Sequence, residues 1–132
     1  MHPANEHYLR GSATGNLELC QLAISQGCDV NARTVEGDNA LHLACAFGHP
    51  DLVPELIQFG TNTNDLNHDG LTPAHEAVIN ARPRSLMALM VYGQDVDWDI
   101  QDPQGRTVQH VAEDTLTTIQ NLQLGKEYEA QL

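Results

Sequence analysis

Gly70-Leu71-Thr72-Pro73-Ala74-His75-Glu76-Ala77 reads as a tight turn followed by the opening of a helix. Thr72 suits the capping place, and Pro73 stands at the first helical position, where its missing N–H leaves nothing unsatisfied. The same arrangement stands 33 residues earlier as Gly37-Asp38-Asn39-Ala40-Leu41-His42-Leu43-Ala44, and 35 residues later as Gly105-Arg106-Thr107-Val108-Gln109-His110-Val111-Ala112. Asn39 and Thr107 take the capping place in these copies. Gly27, Gly60 and Gly93 are also spaced by 33, and each opens an Asx-rich turn: Cys28-Asp29-Val30-Asn31, Thr61-Asn62-Thr63-Asn64 and Gln94-Asp95-Val96-Asp97. A fixed period of this length marks a chain built from one repeated supersecondary unit.

Between the turns the apolar residues follow helical spacing: Leu19, Leu22, Ala23; Leu52, Leu56, Ile57; Leu86, Leu89, Met90. Gly27, Gly60 and Gly93 are expected to end these helices in the left-handed region. Two short helices with one apolar face each bury it only against a neighbouring pair, so the units must stack. The units are expected at about 1–33, 34–66, 67–101 and 102–132. The end units depart from the pattern. The first has Glu6-His7-Tyr8-Leu9 where the others open a helix, and the last runs after Ala112 into Glu113-Asp114-Thr115-Leu116-Thr117-Thr118. Its second helix is expected to be short, ending near Gly125, with a frayed polar tail. Pro54 inside the second helix of unit two would cost roughly 3 kcal/mol at an interior position, which predicts a late start near Val53 or a kink.

This pattern resembles the ankyrin repeat, G-x-T-P-L-H-x-A followed by a glycine turn, a second helix and G-A-D-V-N. Thr72-Pro73-Ala74-His75 and Cys28-Asp29-Val30-Asn31-Ala32 carry the likeness most closely, and it extends from about Asn5 to about Leu124. The resemblance implies an all-α repeat solenoid, a stack of paired antiparallel helices with β-turn fingers, forming a single domain over 1–132. It also implies that the turn tips and the first-helix surface form a concave binding face.

Composition bounds the function. The chain of 132 residues is 41% hydrophobic, with 18 acidic and 6 basic side chains and a net charge of −12. That field repels nucleic acid and anionic membranes and favours a partner protein with a basic surface. No apolar run is long enough to span a bilayer, and Met1-His2-Pro3-Ala4-Asn5-Glu6 lacks the form of a secretory signal. Cys20, Cys28 and Cys45 are an odd set without CxxC spacing, which argues for a reducing, intracellular setting, the cytoplasm or, in a eukaryote, the nucleus. They read as small buried residues.

Candidate chemistry is sparse. His42, His75 and His110 recur at one place in successive units, and a column of imidazoles invites a metal reading. The ankyrin resemblance implies instead that each ties neighbouring units together by hydrogen bonds. Asp95, Asp97, Asp99 and Asp102 alternate like a calcium loop but lack its 12-residue frame and closing glutamate. His75-Glu76 is a neighbouring pair on a helix, with Glu76 expected to face solvent. No nucleophile elbow, phosphate loop or H-E-x-x-H is present, so neither a catalytic residue nor a metal or cofactor is assigned. The resemblance also implies that Asn31 and Asn64 occupy a place hydroxylated in some ankyrin proteins. Each matches that context by half, and the expected role is to bridge its turn to the next unit.

Carried over residue by residue, the binding face comprises Val35, Glu36, Asp38 and Phe47 in unit two, His68, Asp69, Leu71, Ile79 and Asn80 in unit three, and Gln104, Arg106 and Asp114 in unit four. Arg33, Leu66 and Gln101 precede the three tips, and Trp98 joins the set. Val35, Phe47, Leu66, Leu71 and Ile79 are apolar where solvent selects polar side chains, and Glu36, Asp38, Asp69 and Asp114 interleave with them. An apolar strip rimmed by acids is the form of a protein-docking surface. Trp98 lies in the two-residue excess before the last copy and is either a partner anchor or a lid over the last unit. The expected function is a monomeric protein-binding scaffold or adaptor, with a stoichiometric inhibitor of a basic enzyme, or an immunity-type protein, as the alternative.

Overall fold

Local signals start and stop each helix of the computed structural model, which describes residues 2–117. Helix α1 (Pro3–Thr14) opens on a proline, and the His2 ring accepts from the Ala4 N–H. Asn16 caps α2 (Leu17–Ser25) by accepting from the Leu19 N–H. In α3 (Ala40–Phe47) the Asn39 side chain accepts from the His42 N–H while the His42 ring accepts from the Asn39 N–H, a reciprocal capping box. Thr72 caps α5 (Pro73–Ile79) in the same place through the His75 N–H. Helix α4 (Val53–Phe59) does start late, so Pro54 falls in its first turn and removes no helical bond. After α6 (Pro83–Tyr92), a further helix, α7, occupies 108–117 behind Thr107. The expected second helix of the last unit lies outside the described residues.

The first helices α1, α3 and α5 pack side by side, and α4 packs against α6 in a second layer. Tyr8, Leu41, Leu56 and Leu89 lie fully buried between them. Each large apolar side chain so buried stabilises the stack by about 2 kcal/mol relative to exposure. The Tyr8 hydroxyl, 2.7 Å from Thr61 Oγ1, ties the first helix to the turn after α4, and burial pushes its pKa well up. Among the described residues there is no strand, and no helix is long and apolar enough to cross a membrane.

Two sequence expectations shift. Leu22 and Met90 fit the helical apolar pattern but stay exposed; the buried apolar positions of the second helices are Cys20 and Ala23, Val53 and Leu56, Ala88 and Leu89. Gly93 ends α6 with φ −90 and not in the left-handed region. Glycine is required there by crowding, because a Cβ would meet the Leu89 carbonyl oxygen at 2.6 Å and Val96 Cγ2 at 2.5 Å.

Candidate protein-docking surface

The tips are short hydrogen-bonded turns. Thr34 and Asp38, Asn67 and Leu71, and Asp102 and Arg106 each close one, with the earlier residue's N–H donating to the later residue's carbonyl at 2.8–3.0 Å. Successive tips are joined by the His68 N–H, which donates to the Glu36 carbonyl at 3.0 Å. Arg33 reaches forward to the Leu66 carbonyl at 2.9 Å and to the Asp65 carboxylate at 2.7 Å.

The histidine column divides into covered and open members. His42 is buried and its Nε2 lies 2.8 Å from the Leu71 carbonyl of the next turn; His75, also buried, lies 3.1 Å from the Arg106 carbonyl. His110 is exposed and, among the described residues, pairs only locally with Thr107. Burial lowers the His42 pKa, outweighing the opposing pull of the Leu71 carbonyl and of Asp38, Glu76 and Asp65. Side-chain amides complete the seam. Asn31 Oδ1 accepts from the Asn62 N–H at 2.8 Å, and Asn64 Oδ1 from the Asp97 N–H at 2.7 Å, the bridging role expected of both. Asn39 donates to the Asn62 carbonyl and Asp65, and Asn67 to Asp38 and Glu76. Glu76, expected in solvent, is half-buried because it accepts from both Asn67 and Asn80.

The sequence-chosen face residues fall into three groups. Val35, Phe47, Leu66 and Ile79 are exposed, Val35 at 86% and Phe47 at 55%, as are Glu36, His68, Asp69, Gln101 and Gln104. Engaged within the protein are Arg33, Asp38, Asn80, Arg106 and Asp114: Asp38 accepts from Asn67, Asn80 donates to Glu76, and Arg106 pairs with Asp102 at 3.1 Å and Asp114 at 3.5 Å. Leu71 is half-buried, so the exposed apolar strip has four members and not five. Burial would raise the Asp102 carboxyl, but donation from the Arg106 and Gln104 N–H groups and the Arg106 guanidinium hold it below the usual carboxylate range. Trp98 stands apart from the strip. It lines a groove of about 470 Å³ between α6 and α7 with Leu86, Met90 and Val108.

Paired helices, capped first turns and histidine-to-turn bonds recur at the sequence period, and a family model for ankyrin repeats in three copies matches residues 10–102. The chain belongs to the ankyrin-repeat family. Ankyrin-repeat domains generally mediate protein–protein contacts and are typically non-enzymatic. BCL-6 corepressor-like protein 1 of Homo sapiens is 40% identical over 67 residues, covering 51% of this chain and 4% of that protein. Protein phosphatase 1 regulatory subunit 27 of Homo sapiens is 35% identical over 75 residues, 56% of this chain and 49% of that protein. The putative ankyrin repeat protein FPV031 of fowlpox virus is 39% identical over 82 residues, 61% of this chain and 24% of that protein. The chain thus spans less than half the length of each of these relatives.

Sequence reasoning missed Asp65, Asn67 and Asn39 as seam residues. The signal was present in Asn39, which stands where the other copies have Thr72 and Thr107 and carries an amide long enough to reach the next turn.

Proposed function

We propose that this chain is a single-domain protein-binding module of four units that docks a basic protein surface on its concave face, built from the turn tips and the exposed ends of the first helices. The observation that carries this reading is the exposure of Val35, Phe47, Leu66 and Ile79 beside Glu36 and Asp69. Leaving such side chains in water forgoes the burial energy that fixes the rest of the stack, and a covering partner recovers it. Acids around the strip steer a basic partner, and because salt screens that attraction the rate of association falls as salt rises. Gln101, Gln104 and His68 form the polar rim of this face, with Arg33, Asp38, Leu71, Asn80, Arg106 and Asp114 holding its shape. The setting is intracellular, with no catalytic role, and the docking unit is the monomer.

A stoichiometric inhibitor of a basic enzyme is the second reading, favoured by the net charge of −12 and by a relative named as a phosphatase regulatory subunit. A partner captured by the chain and then assayed distinguishes the two. An inhibitor abolishes its partner's turnover at one-to-one stoichiometry, and an adaptor leaves it intact. Trp98→Ala separates anchor from lid: as an anchor it costs about 2 kcal/mol of binding, and as a lid it lowers stability with affinity unchanged.

A further inference from the structure

The three turns that lead into the second helices are equivalent at the 33-residue offset, yet the third is chemically unlike the others. Gly15 and Gly48 become Ala81, Glu18 and Asp51 become Arg84, and Leu19 and Leu52 become Ser85. Ala81 keeps the left-handed backbone of its glycine counterparts, with φ 55, and is the one non-glycine residue with positive φ among the described residues. A carboxylate near a helix N-terminus is favourable and an arginine is not, so Arg84 opposes the helix dipole where the other two units satisfy it.

The Ser85 N–H differs as well, because its counterparts in the other two turns have acceptors, whereas the Arg84 N–H is open, among the described residues, like those of Glu18 and Asp51. Leu19 N–H is capped by Asn16, and Leu52 N–H donates to the His49 carbonyl at 3.1 Å. No hydrogen bond among the described residues uses the N–H of Arg84 or Ser85, and Arg82 gives α6 no side-chain cap. The Ser85 hydroxyl is fully buried and is the one buried side-chain polar atom without a partner among the described residues. Ser85 lines a cavity of about 290 Å³ with Arg82, Arg84 and Ala81. Arg82 is held in place there: its Nε donates to the Ala46 carbonyl at 3.2 Å, and its chain lies so close over Gly48 that a Cβ would meet Arg82 Cδ at 2.9 Å.

We propose that this turn is an oxyanion site suited to a phosphate group. Two of the six basic residues in an otherwise strongly acidic chain stand within three positions of one another. With them are two unpaired backbone N–H groups at the start of a ten-residue helix and a buried hydroxyl able to donate. A phosphate monoester supplies the acceptor oxygens and the charge that this set matches. Asp51 lines an adjoining apolar groove of about 420 Å³ with Arg84, Pro54, Met87, Val91 and Tyr92. That groove would hold the remainder of a phosphorylated segment, which makes this face independent of the acidic concave strip.

The test is a titration of the full isotope-labelled chain at low ionic strength with inorganic phosphate and, separately, with N-acetyl-phosphoserine amide. The amide signals of Arg84, Ser85 and Leu86 are expected to shift saturably, while that of Glu18 at the first turn stays in place. Tighter binding of phosphoserine than of inorganic phosphate assigns the site to a phosphorylated protein, and the reverse order assigns it to free phosphate. Ser85→Ala keeps both arginines and should weaken binding about tenfold, and Arg84→Asp, which restores the acid of the other turns, at least as much. Absence of a saturable shift, equal shifts at all three turns, or unchanged affinity in Ser85→Ala overturns the proposal.

Discussion

His42 and Phe47 stand five residues apart in one helix, α3, yet they belong to different regions. His42 lies in the seam, where the next helix pair covers it and its ring reaches the Leu71 carbonyl. Phe47 lies on the strip, which no neighbouring pair among the described residues covers. The seam is satisfied from within the chain, so its residues answer to stability. The strip is not, and under the proposed function its residues answer to what docks. His110 sharpens the contrast, because it carries the seam motif where the described stack ends and remains exposed.

The contrast can be broken from either side. The largest effect on stability is expected for His42→Ala, which removes the capping box and strands buried donors and acceptors; urea unfolding should show a loss of about 3 kcal/mol. Partner affinity per folded molecule should be unchanged. A strip substitution such as Ile79→Asp should do the reverse, with a melting temperature near that of the parent chain and binding weakened by about 2 kcal/mol in a calorimetric titration.

Acid should act through the seam. The His42 pKa lies below the ordinary imidazole value of 6.5 in the folded chain, so the unfolded chain binds the proton first. Stability from this group is complete above pH 6.5 and falls as pH drops from there toward the folded-state pKa. Denaturation midpoints across that window should decline in the parent chain and flatten in His42→Gln. Ala81→Gly relieves the left-handed alanine and should raise stability by about 1 kcal/mol in thermal unfolding. His110→Ala should change it by under about 0.5 kcal/mol, since the ring is exposed.

The fold was legible because the glycine turns, caps and His42 and His75 recur at a fixed spacing, and each position carries a local physical signal. Pro54 alone pointed to a late start or a kink in α4, and the late start is what the structure shows. What periodicity does not encode is coverage by neighbours. Leu22 and Met90 satisfy the helical pattern and still face out, while Leu71, chosen as a surface residue, is half-buried. Glycine spacing likewise hid two causes under one residue type: Gly60 adopts a left-handed backbone, whereas Gly93 makes room for Leu89 and Val96. The unlike turn at Ala81–Ser85 was visible in the sequence by comparison at the same offset. Its meaning depended on seeing that the Ser85 hydroxyl has no partner among the described residues.

Affinity of the double variant Phe47→Asp/Ile79→Asp for the partner captured by the parent chain tests the central claim most directly. The account predicts at least roughly thirtyfold weaker binding with an unchanged melting temperature. Parent-like affinity in a fully folded variant would contradict it.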